Sequence, residues 1–413
     1  MSTPVVTEAT APDAGEPGAP TPTAPPFGTV ASTAAPDLEA AVRTRLIDLR
    51  IAQHAHPGPF EPLEVLALRL ALIQQHPRPR LRQPQLVIFA GDHGLAVEVA
   101  DAVPCDTEGI VSDLLDSRLP LPVLAHLQGI TTHVVDCGLA NTVETRPGML
   151  ARKIAHGTRN CRFAHAMTQQ QVQAAMRAGR DIVDALPGNV LACAGLGMGS
   201  HAVSALLLSQ LTGLALEDIV QPRGADPTNS LRDPHLSLLR QIQRSQNRHA
   251  ALDNPLEALA AFGGFETAMM VGAMIAAASR RHLLILEGLN ACAALAVAER
   301  IAGPVGEYVM VASRFPTQTP GAHDRPGLEA ALSILQAQAL PDLHLQGIDG
   351  TGIPMSWPWV QAAASLLSDV QLAPNPVPTG GETPSGGATT GEPGPSAAEA
   401  SAPQTQRAAT TEG

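Results

Sequence analysis

Along the middle of the chain, short apolar runs alternate with stretches of helical periodicity. Residues 86–90 (LVIFA), 132–138 (THVVDCG), 189–195 (NVLACAG), 283–288 (LLILEG) and 307–313 (EYVMVAS) are mostly continuous apolar runs that stop at Gly or Asp. Strands buried on both faces of a parallel sheet read this way. Between them, helical patterns are predicted over 108–116 continuing toward 121–129, and over 168–186, 201–213, 266–280, 290–302 and 327–338. Thr168 stands at an N-cap position with Gln171 three residues on, the arrangement of a capping box. The alternation predicts an α/β fold with a doubly wound, mainly parallel sheet. Ligands of such sheets sit beyond the carboxyl ends of the strands.

Helical patterns at 41–53 and 62–75 precede the first strand, and another at 356–370 follows the last. Together they predict a small helical subdomain: residues 37–85, joined by the C-terminal helix 356–372, flanking an α/β domain over 86–355. The segments 1–36 and 373–413 are rich in Ala, Pro, Thr and Gly, with almost no large apolar side chains. Neither buries enough surface to offset its ordering entropy, so both are expected to be disordered.

Composition narrows the function. Of 413 residues, 45% are hydrophobic and 15% charged, which supports a large core. Aromatics are few and the net charge is −12, which argues against nucleic acid and against an anionic membrane surface. The five cysteines, Cys105, Cys137, Cys161, Cys193 and Cys292, form no C-x-x-C pair. They read as free buried thiols, which suits a reducing, cytoplasmic setting. The N-terminus lacks the basic and apolar regions of a signal peptide, and the apolar run 268–279 is too short to span a bilayer.

Four motifs lie at predicted strand ends or in glycine loops. In 90–98 (AGDHGLAVE), Asp92 and His93, followed by Gly94, are either acid–base or ligand groups, or a buried pair that fixes a loop. In 194–202 (AGLGMGSHA), Gly197 and Gly199 expose backbone N–H groups at a helix start, a phosphate site or simply a packing turn. The spacing is G-x-G-x-G, not the dinucleotide pattern G-x-G-x-x-G. In 263–281, Gly263 and Gly264 open a helix with Glu266 in its first turn, where the acid either meets a ligand or stabilises the helix. In 347–352 (GIDGTG), Asp349 is surrounded by Gly347, Gly350 and Gly352, with Thr351 between the last two. That is either a surface turn or a loop that lets backbone approach a ligand while Asp349 handles a proton. There is no G-x-S-x-G elbow, P-loop or H-E-x-x-H.

Taken in order, VIFAGDHG, VLAHLQGITTHVVDCGL, HGTRNCRFAHAMT, CAGLGMGSHA, NPLEALAAFGGFE and GIDGTG resemble the nicotinate-nucleotide–dimethylbenzimidazole phosphoribosyltransferase family of cobalamin lower-ligand assembly, over roughly residues 41 to 370. The resemblance implies a doubly wound large domain, a small helical domain and a homodimer, with no metal or organic cofactor. It implies transfer of phosphoribosyl from nicotinate mononucleotide to 5,6-dimethylbenzimidazole, giving α-ribazole 5′-phosphate and nicotinate. The attacking base sheds a proton as the glycosidic bond forms, which a carboxylate can take. Departure of nicotinate leaves cationic character on the ribose, which a carboxylate can also stabilise.

By this resemblance Asp349 matches the family's general-base glutamate, with an arm one methylene shorter. The family's G-E-M-G-I-G-N-T stretch is A-G-L-G-M-G-S-H here. Gly195 replaces a carboxylate, Ser200 an asparagine and His201 a threonine. Arg240 stands next to the position of a phosphate-binding basic residue, and Arg314 fits an arginine of a later loop. The loss at Gly195 leaves open a second reading, a divergent paralogue that binds nucleotide or base with little turnover. A dinucleotide-dependent oxidoreductase fits neither the spacing nor the position of the glycines.

Overall fold

The computed structural model describes residues 27–52, 61–99, 106–220, 234–247, 252–312, 333–335, 337–340 and 348–372. Seven parallel strands form one sheet: β1 (Gln85–Gly91), β2 (Thr131–Gly138), β3 (Met149–Ala151), β4 (Val190–Leu196), β5 (Leu283–Leu286), β6 (Val309–Val311) and β7 (Gln338–Ala339). Their order is β3-β2-β1-β4-β5-β6-β7. The chain thus runs one way from β1 to β3 and the other way from β4 to β7. Between β1 and β4, which pair from Gln85↔Leu191 to Ala90↔Leu196, the direction reverses. In sheets of this kind ligands bind where the strand order reverses, beyond the carboxyl ends of the two central strands. The expected fold class is the observed one.

Every residue of β1 is buried, because helices cover both faces of the sheet. On one side α6 (Gln169–Ala185) crosses α11 (Phe265–Ser279) in close contact. The approach is backbone against backbone. A Cβ on Gly179 would lie 1.9 Å from the Met269 carbonyl oxygen, and one on Gly272 would lie 1.9 Å from that of Met176. The capping box at the start of α6 forms as expected: Thr168 Oγ1 accepts from the Gln171 N–H at 3.1 Å, and Gln171 Oε1 accepts from the Thr168 N–H at 2.9 Å. On α12 (Leu289–Ala302) packs α7 (Ser200–Thr212), which is followed by the short α8 (Leu216–Ile219), α9 (Pro234–Asn247) and α10 (Pro255–Phe262).

At the ends of the chain, α1 (Pro36–Ala52) and α2 (Glu61–Gln74) pack with the last helix, α13 (Gly352–Ser368). Arg45 of α1 donates to the carbonyl oxygens of Leu367 and Val370, which ties the two termini together. Residues 27–35, grouped with the N-terminal tail on composition, lie instead against the C-terminal end of α12 and the residues that follow it. Phe27 and Val30 are buried, the Val30 N–H donates to the Ala302 carbonyl at 2.7 Å, and Glu307 accepts from Ser32 and Thr33. Two apolar anchors and one carboxylate are enough to hold them. Residues 1–26 and 373–413 fall outside the described residues.

Several elements differ from expectation, and β3, α8, α9 and α10 were not predicted. The helix predicted from 108 toward 129 is two, α4 (Thr107–Leu115) and α5 (Pro120–Leu127), because Pro120 has no N–H to continue the first and suits the first turn of the second. Gln338, the last residue of the helix predicted over 327–338, belongs instead to β7, which pairs with Met310 and Val311; residues 327–332 and 336 of that prediction lie outside the described residues. A four-residue helix, α3 (Ala96–Val99), follows β1. Among the described residues no helix is long and apolar enough to cross a membrane.

Candidate active site

The loop after β1 is built around Asp92. Its Oδ1 accepts from Thr107 Oγ1 at 2.6 Å and from the Met198 N–H at 3.3 Å, and its Oδ2 accepts from the Ala140 N–H at 2.8 Å. One carboxylate therefore ties together the loops that leave β1, β2 and β4 and the start of α4. Gly94 packs against the next layer, where a Cβ would lie 2.5 Å from the Asn160 backbone nitrogen. Gly197 does the same against β1, since its Cβ would lie 1.7 Å from the Gly91 carbonyl oxygen. Both glycines are needed where backbone meets backbone.

Beside this staple lies a buried charge cluster. His93 Nε2 stands 3.0 Å from Glu266 Oε1, with both side chains fully buried and the contact off-axis for a hydrogen bond. The same Oε1 accepts from Asn290 Nδ2 and Thr267 Oγ1, each at 2.9 Å. Burial pushes the Glu266 carboxyl up, but His93, Asn290 and Thr267 together outweigh it and hold it below the usual carboxylate range. Among the described residues, Glu266 Oε2 and His93 Nδ1 have no hydrogen-bond partner. Gly264 and Gly91 make room here: a Cβ on either would lie 2.3 Å and 2.7 Å, respectively, from Glu266 Oε2. Asn290 also turns toward β4, where a Cβ on Gly195 would lie 2.7 Å from Asn290 Cγ.

The GIDGTG loop supplies the second group of residues. Asp349 is buried to 9% exposure, and its Oδ2 lies 3.6 Å from Nε2 of the exposed His201. Gly350 has φ +104°, a left-handed conformation that favours glycine, and Thr351 Oγ1 donates to the Ile348 carbonyl at 2.8 Å. Gly352 opens α13. Gly288, after β5, has φ +97°, and a Cβ there would lie 2.1 Å from Asp349 Oδ2, so the acid rests directly on that turn. Opposite, α7 begins at Ser200, capped by Gly199 in the left-handed conformation, φ +81°. Ser200 is buried and His201 reaches out from the first turn toward Asp349.

One acid that sequence reasoning passed over belongs here. Glu287, 2% exposed at the carboxyl end of β5, accepts from the Ile353 N–H at 3.0 Å. Burial, then the charge of Asp349, push its carboxyl up to about 8. The signal was present in 283–288 (LLILEG), where an acid ends a buried strand just before a glycine, as Asp92 and Asp349 neighbour glycines.

The fold thus brings together Asp92, His93, Gly94, Gly197, Gly199, Ser200, His201, Gly264, Glu266, Asp349, Gly350, Thr351 and Gly352. It does not bring Arg240 to them. Arg240 pairs with Glu217 beyond the far end of α7, about 18 Å of helix away from Ser200. Its adjacency to a motif in sequence did not carry into space. Arg314 lies outside the described residues. Two cavities, of about 570 Å³ beside Arg45 and Arg80 and about 500 Å³ beside Arg240, lie away from the strand ends. No group of three or more His, Cys, Asp or Glu side chains that could hold a metal ion occurs among the described residues.

A doubly wound sheet with carboxylates and glycine turns at its switch point is the arrangement of a nucleotide-handling enzyme. Residues 35–374 match the model of the family described as Phosphoribosyltransferase, and the chain belongs to that family. It is 35% identical over 315 residues to the nicotinate-nucleotide–dimethylbenzimidazole phosphoribosyltransferase of Variovorax paradoxus, covering 76% of this chain and 86% of that one. With the protein of the same name from Cupriavidus taiwanensis it shares 37% identity over 318 residues, covering 76% and 88%. The solved structure of the Thermus thermophilus protein of that name superposes with a TM-score of 0.67 at 27% identity, covering 81% of this chain and 96% of that one.

Proposed function

We propose that this protein transfers phosphoribosyl from nicotinate mononucleotide to 5,6-dimethylbenzimidazole, releasing nicotinate and α-ribazole 5′-phosphate. The carrying observation is Asp349, a nearly buried carboxylate in a glycine loop at the strand ends of a chain whose relatives bear that name. In the reaction the base nitrogen bonds to ribose C1, the bond to the pyridinium nitrogen breaks, and its electron pair leaves with nicotinate. The ring proton of the base passes to Asp349. The 5′-phosphate is assigned to the α7 N-terminus at Gly199 and Ser200, where the helix dipole favours an anion. We assign stabilisation of positive charge on the ribose to Glu266, whose Oε2 has no hydrogen-bond partner among the described residues. The relatives' names support the transferase over a binding module.

We further assign the protein to the cytoplasm, consistent with free buried Cys137, Cys161, Cys193 and Cys292. We also assign it a homodimeric state. Met355 and Trp359 on α13, and Val123 and Leu127 on the contacting α5, are exposed apolar side chains on neighbouring helices. Sedimentation velocity tests the dimer. The activity is tested by incubating the purified chain with nicotinate mononucleotide and 5,6-dimethylbenzimidazole, benzimidazole or adenine, and weighing the products by mass spectrometry. A riboside phosphate formed together with nicotinate is expected; its absence with every base contradicts the reading.

A further inference from the structure

Glu287 belongs to no motif and has no role in the transfer described above. Yet it is almost fully buried, and it touches the same loop as the general base. Its Oε2 accepts from the Ile353 N–H at 3.0 Å, and both of its oxygens lie 3.0 Å from where a Cβ on Gly352 would stand. Its own N–H donates to the Cys193 carbonyl at 3.2 Å, which fixes it to β4. Asp349 rests on the adjacent residue, Gly288. Glu287 therefore meets the loop that carries Asp349 at Gly352 and Ile353, while Asp349 rests on the residue that follows Glu287. Buried carboxyls at such quarters do not both ionise readily, so one proton belongs to the pair.

We propose that Glu287 is a positioning residue that holds this proton, leaving Asp349 as the ionised, proton-accepting member of the pair and bracing its loop through Ile353. The inference rests on the phosphoribosyl-transfer reading above. The difference in surroundings sets the order: Glu287 is sealed behind β4, β5 and the start of α13, whereas Asp349 faces the exposed His201. The other groups near the pair are Cys292 of α12, whose thiol burial and Asp349 push up to about 12, and, one residue further off behind Asn290, Glu266 with His93. Burial and Asp349 push Glu287 up to about 8, so the proton is held through neutral pH and released above it. Release puts two negative charges on the loop, which is expected to drive it out of register with the substrate.

The test uses the full chain. Infrared difference spectra are recorded without substrate between about pH 6 and 9 for wild type, Glu287→Gln and Glu299→Gln. Glu299 is the control, since burial pushes its carboxyl up to about 7. A protonated-carboxyl C=O band that titrates near pH 8 is expected in wild type and in Glu299→Gln, and is expected to vanish in Glu287→Gln. Persistence of that band in Glu287→Gln overturns the proposal. In the companion kinetics, Glu287→Gln mimics the protonated group. It is expected to lose the alkaline fall near pH 8 that wild type shows. A loss of kcat as large as that of Asp349→Asn, or an unchanged alkaline fall, also overturns it. The infrared arm needs no turnover, so failure of the transfer reading and failure of the shared proton are read separately.

Discussion

The side chain of Asn290 occupies the space beside Gly195: a Cβ at position 195 would sit 2.7 Å from its Cγ and 2.9 Å from its Cβ. Asn290 is held there by Glu266 and Thr267. Position 195 is therefore closed to any side chain while Asn290 stands. Gly195→Ala is expected to destabilise the protein by about 1–3 kcal/mol, as overpacking does. Adding Asn290→Ala is expected to return part of that loss, a coupling of roughly 1 kcal/mol in a double-mutant cycle followed by denaturant unfolding. Strictly additive effects would mean the two positions do not meet.

The His93–Glu266 pair is expected to make stability acid-sensitive. The Glu266 carboxyl is held below its ordinary value in the fold, so its contribution is present above the unfolded value, about 4.3, and is lost as pH falls through the folded one. Glu266→Gln replaces a buried, hydrogen-bonded carboxylate by a neutral amide and is expected to cost about 1–3 kcal/mol near neutrality. The gap between wild type and variant is expected to narrow below about pH 4. Parallel unfolding curves at both pH values check this, and a gap that widens in acid contradicts it.

Asp92 acts as a staple between loops. Asp92→Ala removes acceptors for Thr107, Ala140 and Met198 and is expected to cost at least about 2 kcal/mol. Hydrogen exchange at the Ala140 and Met198 amides is expected to speed up together. Unchanged protection at both would show that the loops hold without it.

Arg240 gives a negative control. It pairs with Glu217 at the far end of α7 from Ser200, so Arg240→Ala is expected to leave kcat/KM within about twofold of wild type. A large rise in KM for the nucleotide would bring Arg240 to the phosphate after all.

Much of the fold was legible in the sequence because burial on both faces writes itself as unbroken apolar runs. LVIFA and NVLACAG became β1 and β4, the two strands between which the sheet reverses direction. The edge strands β3 and β7 are two or three residues long, too short for any periodicity, and Gln338 of β7 was read as the last residue of a helix. In the site, the glycine-flanked acids stood out because glycine and carboxylate together are unusual. Glu287 did not, because it reads as the last residue of an apolar strand. The meeting of His201 with Asp349, and of Gly195 with Asn290, joins segments distant in the chain, and no local pattern encodes it.

The central claim is that Asp349 takes the proton of the incoming base. The direct measurement is kcat and KM of Asp349→Asn against wild type, with nicotinate mononucleotide and 5,6-dimethylbenzimidazole and a melting curve to confirm the fold. The account predicts a fall in kcat of about a hundredfold to ten-thousandfold with KM nearly unchanged. A folded Asp349→Asn protein that turns over at the wild-type rate would contradict it.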